Sequence, residues 1–571
     1  MTRKRNQAWI FFLTIIVLGL AIYSNALQGE FVSDDHVYIV DNPSVRNIFD
    51  LQGLWHSFNS RFLTGLTFAL NFSAGGLNVF GYHFFNIVIH LINSILVYQF
   101  TLLILKALEG KTDAYKKYKD ALPVFAALIF LTHPVQTQGV SFISQRLASM
   151  GTMFYLLSLI FYIRGRLDEK NDLIHLALLS MLFGVFTKEM IVTVPLMLFV
   201  IELYCFSSWK EIKITQWRTV RPFVLASCML PLIILQQKAV SYPDFTGQIK
   251  AGGFSWNYFL TEINVLRTYA RMLFLPVNLS HEYDYPIVGS LLDVDLILSL
   301  ALLIGLLILA VKTFRSKPLI SFCIVWFFVT TSVEIINVSL VHRNVIYDHW
   351  LYLPMVGFSI FLGLFIHLIA KDKMGIRGLF AVIIVIFCLA TYQRNKVWQN
   401  EIGFWQDVLK KAPNKAAAHL GMANAYKRQN NLEKAIEQYQ QVVRSDPGSV
   451  KAYSNMGVAY YQTGNVKRAM RNLKEALNLE PDNPAVHNNL GYIYYLEKDY
   501  GRAILHYFKA LNLRGDYANA YFYLGQCYLE MKNFSTARNC LNRAMQLYEK
   551  RYEKGKVQEI KTILDAIANE V

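Results

Sequence analysis

The chain has 571 residues, 54% of them hydrophobic and 14% aromatic, with a mean hydropathy of +0.29. That is too apolar for a water-soluble protein of this length and too charged for one lying wholly in lipid, so a membrane part and an aqueous part are expected. The formal net charge of +16 does not point to nucleic acid, because the Lys and Arg residues collect in loops between apolar runs; no nucleic-acid partner is expected.

Residues MTRKR open the chain, and an apolar run follows from Trp9 to Leu27. The pattern has the basic and apolar regions of a signal peptide but no convincing small-residue cleavage site, so it is read as a signal anchor. Just beyond it, FVSDDHVYIVDNP (residues 31–43) carries two adjacent carboxylates, Asp34 and Asp35, near the start of a long first outer loop, 27–79. Runs of membrane-crossing length then recur; about eleven are expected, at 8–26, 80–104, 121–132, 147–163, 172–186, 191–206, 219–236, 292–311, 318–338, 351–370 and 378–395. With the N-terminus in the cytoplasm, the inner segments are dense in cations, among them Lys116, Lys117 and Lys119, Arg164 and Arg166, Lys312 and Arg315, while the longer outer loops hold few. That asymmetry obeys the positive-inside rule, and an odd number of spans leaves everything after residue 395 outside.

From residue 416 the sequence repeats with a period of 34. Ala435, Ala469, Ala503 and Ala537 recur at that spacing, as do Tyr426, Tyr460, Tyr494 and Tyr528, and Gly457, Gly491 and Gly525. Small residues let two helices approach closely, and the aromatics fill the gap to the next unit. This is the tetratricopeptide pattern: repeats at 416–449, 450–483, 484–517 and 518–551, a half repeat at 396–415 and a capping helix at 553–569. The expected fold class is all-α, a polytopic membrane bundle over 1–395 followed by an α-solenoid over 396–571. Asn455 and Asn489 share one position in successive repeats, and Asn424 is expected to face the same groove. Such amides can grip the backbone of an acceptor peptide with both donor and acceptor; the competing reading is an ordinary polar surface. Cys527 and Cys540 are a weak candidate disulfide pair.

The outer segments carry tight polar clusters at helix mouths. They are Asp34 and Asp35; His133, Gln136, Gln138 and Arg146; Lys188 and Glu189; His281, Glu282 and Asp284; and His342, Arg343, Asp348, His349 and Tyr352. Any one of them reads as a polar loop. All five on one side of a bundle point to one outward-facing polar cavity, since charge at membrane depth is costly. There is no Gly-rich phosphate loop, no H-E-x-x-H and no nucleophile elbow. The inventory of acids and cations suits a reaction with an anionic leaving group and a hydroxyl that must lose its proton.

The acidic pair at the start of a long first outer loop resembles the GT-C class of membrane glycosyltransferases. More closely, FVSDDHVYIVDNP, SRFLTGLTFALNF, GYHFFNIVIHLINS, HPVQTQGVSFISQRLASM, TKEMIVTVPLMLFVIELY, HRNVIYDHWLYLP and KVWQNEIGFWQDVLKKAPN, leading into repeats, resemble the transmembrane-and-tetratricopeptide protein O-mannosyltransferases and their bacterial relatives. The resemblance implies transfer of a sugar from a polyprenyl-phosphate donor to Ser or Thr hydroxyls of extracytoplasmic proteins held by the repeats, with inversion. It implies a bacterial inner membrane, with the N-terminus cytoplasmic and the repeats periplasmic. Asp34 or Asp35 would be the base. Arg343, Lys188 and Arg146 would stabilise the lipid phosphate, with His349 and His133 as further donors. Arg61, Glu189, Asp284 and Tyr352 complete the expected lipid-phosphate and sugar contacts. Arg61 stands in Arg-Phe-Leu-Thr where the family often has Arg-Pro-Leu-Thr, and the phosphate contact is left open between Arg343 and His349 because the family's Glu-Arg pair is absent. A divalent metal held by Asp34, Asp35 and Glu189 ranks behind a metal-free site, because cations are already at hand. Two other classes stand beside the enzyme: a flippase of lipid-linked sugars, which needs polar residues through the inner half of the bundle, and a scaffold that assembles an envelope complex through its repeats.

Overall fold

The computed structural model describes residues 2–109, 113–206, 221–225, 227, 254–341, 344–369 and 372–570, and all regular elements among them are helices. They fall into two units, one of residues 1–40 and 48–400, the other of residues 41–47 and 401–571. The boundary therefore lies five residues beyond the expected 395, and a short piece of the first outer loop belongs with the repeats.

In the first unit, α1 (Thr2–Tyr23) is followed by the first outer loop, which is itself helical in α2 (Leu51–Phe58) and α3 (Phe62–Gly75). Then come α4 (Val79–Glu109), α5 (Leu122–Thr132), the short α6 (Thr137–Ser141), α7 (Arg146–Leu167), α8 (Asn171–Val185) and α9 (Val194–Ile201). After residues outside the description follow α10 (Trp256–Phe274), α11 (Val294–Thr313), α12 (Pro318–Val341), α13 (Pro354–Ile369) and α14 (Lys373–Asn395). Among the described residues seven helices are long and apolar enough to cross a membrane, and α5, α8 and α13 are shorter apolar helices at three further expected spans. Most of the run read as a span at 219–236 lies outside the described residues. The 31 residues of α4 make a rod of about 46 Å, more than the roughly 30 Å hydrocarbon core needs. It packs along α5 and α7, and α13 along α5. By contrast α11 and α14 bury little of their apolar surface. Exposed Leu302, Leu307, Val385 and Leu389 suit lipid chains, because a helix already satisfies its own backbone groups.

The second unit is a run of paired helices. It begins with α15 (Glu401–Lys411), the half repeat. Four helix pairs follow: α16 and α17 (Ala416–Arg428, Leu432–Ser445), α18 and α19 (Val450–Gln462, Val466–Leu479), α20 and α21 (Pro484–Leu496, Tyr500–Leu513), and α22 and α23 (Ala518–Glu530, Phe534–Lys550). The chain is capped by α24 (Lys554–Glu570). The 34-residue period has a further cause visible only here. Asn431, Asn465, Asp499 and Asn533 each cap the second helix of a repeat, accepting from the backbone N–H three residues on. Lys434, Arg468 and Arg502 lie over Tyr426, Tyr460 and Tyr494 at 5.5–5.6 Å, so the repeating Tyr binds a repeating cation. Gly421 lacks a side chain because any Cβ would run into the indole of Trp405. Asn47 from the first outer loop donates to the Tyr552 hydroxyl at 2.7 Å. Cys527 and Cys540, the weak candidate pair, are both free thiols.

Candidate functional site

The acidic pair sits in a turn just after α1. Ser33 adopts φ 49°, and the amide N–H groups of Asp35 and His36 donate to the carbonyls of Val32 and Ser33. The two neighbouring carboxylates in this turn differ in burial. Asp35 is buried; its oxygens accept from the backbone N–H of Val32 at 3.2 Å and of Ser144 at 2.7 Å. Burial pushes its carboxyl up to about 7, against the pull of those two bonds and with a smaller push from Asp34. Asp34 is exposed. Asp35 thus ties the first loop to the segment before α7.

The cations form a second group. Phe186, at the end of α8, accepts at its carbonyl from Leu63 N–H, which ties the start of α3 to the Thr187–Glu189 turn. Arg61 consequently meets Glu189, with Nε and Nη2 at 3.2 and 3.1 Å from one carboxylate oxygen, and also donates to the Tyr38 hydroxyl at 3.1 Å. Glu189 raises the pKa of the Arg61 guanidinium, so its charge is permanent. Lys188 is nearly buried, and its ammonium stands 3.4 Å from Glu334 of α12. That single long contact leaves donors for an incoming anion. His349 is buried, its Nδ1 has no partner, and its ring lies beside Tyr347 and Trp350. Burial first, then the nearby Lys188, His281 and Arg61, hold its imidazole well below the ordinary range, so it is neutral.

Other expected contacts have different tasks. Arg146 is fully buried. It donates to Asn86 Oδ1 at 2.7 Å, Thr67 Oγ1 at 3.0 Å and the Tyr82 carbonyl at 3.0 Å, between the rings of Phe68 and Phe85. These bonds pin α3 and α4 to α7. Arg146→Ala is expected to cost roughly 3 kcal/mol, since several acceptors lose a charged donor together; thermal unfolding in detergent would measure it. His133 is also a packing residue, Nε2 meeting the Leu273 carbonyl and Nδ1 accepting from Val135 N–H. The Tyr352 hydroxyl is buried against His90 and Asn93. Asp284 is exposed on the loop between α10 and α11. Arg343 lies outside the described residues. Asn424 and Asn455 bond to each other at 3.3 Å, Asn424 also accepts from Tyr439, and Asn489 donates to Ser454. Their amides are half-buried and partly used within the solenoid.

Two acids that sequence alone does not single out also belong to this region. Glu334, in the middle of the apolar run of α12, is the partner of Lys188. The other is Glu262 of α10. It is buried with Oε1 unpartnered, and burial, then Glu334, push it up to about 9, so it is a neutral acid. Its signal was a Glu in the helical run WNYFLTEINVLRTYARMLF, read only as part of an outer loop. Among the described residues no three His, Cys, Asp or Glu side chains are grouped to hold a metal ion.

Fold and site together define a polytopic helical membrane protein with an acid-and-cation site and a tetratricopeptide solenoid. Family models described as TPR repeat match residues 423–464 and 459–497, and one described as tetratricopeptide repeat matches 482–550. The homologues of the chain are protein O-mannosyl-transferases of the transmembrane-and-tetratricopeptide family. One from Caenorhabditis elegans is 27% identical over 453 residues, 74% of this chain and 60% of the relative. Human TMTC1 and TMTC3 are each 24% identical, over 71% and 74% of this chain and 52% and 50% of their own length. The chain thus spans between half and three-fifths of the length of these relatives. A crystal structure of MamA is 24% identical over 27% of this chain and 89% of its own, with a TM-score of 0.24, too low to carry weight.

Proposed function

We propose that this chain is a membrane glycosyltransferase of the GT-C type that moves a sugar from a polyprenyl-phosphate donor to Ser or Thr hydroxyls of extracytoplasmic proteins, with inversion at the anomeric carbon. The observation that carries the reading is the division of labour in the acidic turn: Asp35 is held by two backbone N–H groups, while Asp34 is exposed. Asp34 takes the proton of the acceptor hydroxyl as the hydroxyl oxygen attacks. The bond from the anomeric carbon to the phosphate oxygen breaks, and its electron pair leaves with the lipid phosphate. Lys188 and Arg61 meet the charge that develops there, and His349 and the neutral acid Glu262 add polar contacts. The repeats gather acceptor chains and raise their local concentration. The orientation in this reading puts the N-terminus in the cytoplasm of a bacterial cell and the repeats in the periplasm.

The inner half of the bundle supports an enzyme over a flippase. Glu202 is tied to Arg166 at 2.6 Å and to the Tyr162 hydroxyl at 2.9 Å, so it is satisfied within the protein. The test is reconstitution of the whole chain in lipid with labelled polyprenyl-phosphate sugar and Ser/Thr-containing protein acceptors. Label on the acceptor is the expected result. Movement of the lipid-linked sugar across the bilayer with none on acceptor would assign a flippase, and neither would assign a scaffold.

A further inference from the structure

Ser33 is a non-glycine residue at φ 49°, a region that costs of order 1 kcal/mol or more and persists only where surroundings enforce it. It immediately precedes Asp34. Its hydroxyl lies 3.3 Å from Nε2 of His281, which belongs to the loop between α10 and α11. The other ring nitrogen, Nδ1, lies 3.1 Å from Nε2 of Gln138 in α6. The Gln138 carbonyl oxygen in turn accepts from the backbone N–H of His349 at 2.7 Å.

One unambiguous donor sets the direction of this whole chain. A backbone N–H can only donate, so the atom of Gln138 that faces His349 is the oxygen, and the amide nitrogen faces His281. Nδ1 of His281 then accepts, and Nε2 carries the proton that it donates to Ser33 Oγ. The hydroxyl proton of Ser33 is left to donate elsewhere. His281 is buried, with its ring edge-on to Phe142 and Trp398. Burial, with Arg394 nearby, lowers its pKa to about 3, which keeps the ring neutral and the relay in one direction near neutral pH.

We propose that His281 is a positioning residue for the proposed transfer reaction: through Gln138 it anchors the strained Ser33 turn to the backbone of the loop that bears His349, and so holds the Asp34 carboxylate in one place relative to that loop. The inference rests on the enzyme reading given above. Asp35 anchors one side of the turn to the segment before α7; His281 anchors the other side to a different loop. With two independent ties, Asp34 has little freedom left. Misplacing a reacting group by about 1 Å can cost about 100-fold in rate.

The test is a cycle of Ser33→Ala, His281→Phe and the double variant in the full chain in lipid. Two readouts are needed: sugar transfer, and hydrogen exchange of the backbone over residues 31–40. Each single change is expected to lower kcat about 100-fold, with KM for the lipid donor changed less than about twofold and exchange at 31–40 faster. The double variant is expected to be no worse than the poorer single, because both remove the same bond. Unchanged kcat, or losses that multiply, would overturn the proposal. If His281→Phe does not fold, Ser33→Ala decides by the same two readouts, since its half-buried side chain leaves no large void. If the wild-type chain transfers no sugar at all, the enzyme reading fails. Exchange at 31–40 then decides the anchoring alone: equal acceleration in all three variants sustains it, and no acceleration overturns it.

Discussion

Asp34→Asn is expected to reduce sugar transfer by about 100- to 10,000-fold in kcat while leaving donor binding nearly intact. The amide keeps the size of the carboxylate and its capacity to accept one hydrogen bond, but it has almost no basicity. An acceptor hydroxyl would then have to lose its proton to water as the new bond forms. Because Asp34 is exposed in the turn, the variant should insert and fold like the wild type. Asp35→Asn should behave differently. One of its two atoms would become an NH2 group facing a backbone N–H that now finds an acceptor there. The clash would loosen the joint between the first loop and the segment before α7, so its signature is lower thermal stability with a secondary loss of rate. Kinetics and thermal unfolding on both variants separate the roles. Wild-type turnover in Asp34→Asn, with normal expression, would remove the base from this site and with it the best support for an enzyme.

The second large effect is expected at Lys188. A charge-assisted bond from an ammonium to a phosphate oxygen is worth roughly 1.5–3 kcal/mol, so losing it should weaken donor binding by about 10- to 100-fold. Lys188→Ala alone is a poor test, because it strands the Glu334 carboxylate, which stands 3.4 Å from the ammonium inside the bundle. The double variant Lys188→Ala, Glu334→Gln removes both charges and should fold. Binding of the polyprenyl-phosphate sugar, measured by titration in lipid, should still be lost. Lys188→Arg should recover part of it, since charge is kept while reach and geometry change. Full binding in the double variant would move the phosphate contact to Arg61 or to Arg343.

Much of this protein was legible without coordinates, wherever the physics is local. Apolar runs of the right length announce helices in lipid, and the observed α4, α11 and α12 lie where those runs are. The 34-residue period announced the repeats, because each unit must bury its Ala, Gly and Tyr positions against the next. The acidic pair was found because two adjacent carboxylates after an apolar run stand out by chemistry alone. What sequence could not decide was which polar residues are consumed by the protein itself. Arg146 and Lys188 look alike as cations at helix mouths, yet one has three neutral acceptors around it and the other a single long ion pair; the difference comes from α3 and α4, far away in sequence. Asp34 and Asp35 are adjacent, yet one is exposed and the other is buried and accepts from the backbone N–H of Ser144. Each hydrogen bond of the His281–Gln138 relay joins residues more than a hundred positions apart in sequence. Burial and hydrogen-bond partnership are properties of the packed bundle, and only tertiary structure assigns them, because each depends on which distant backbone donor or acceptor arrives within 3 Å or so of a side chain.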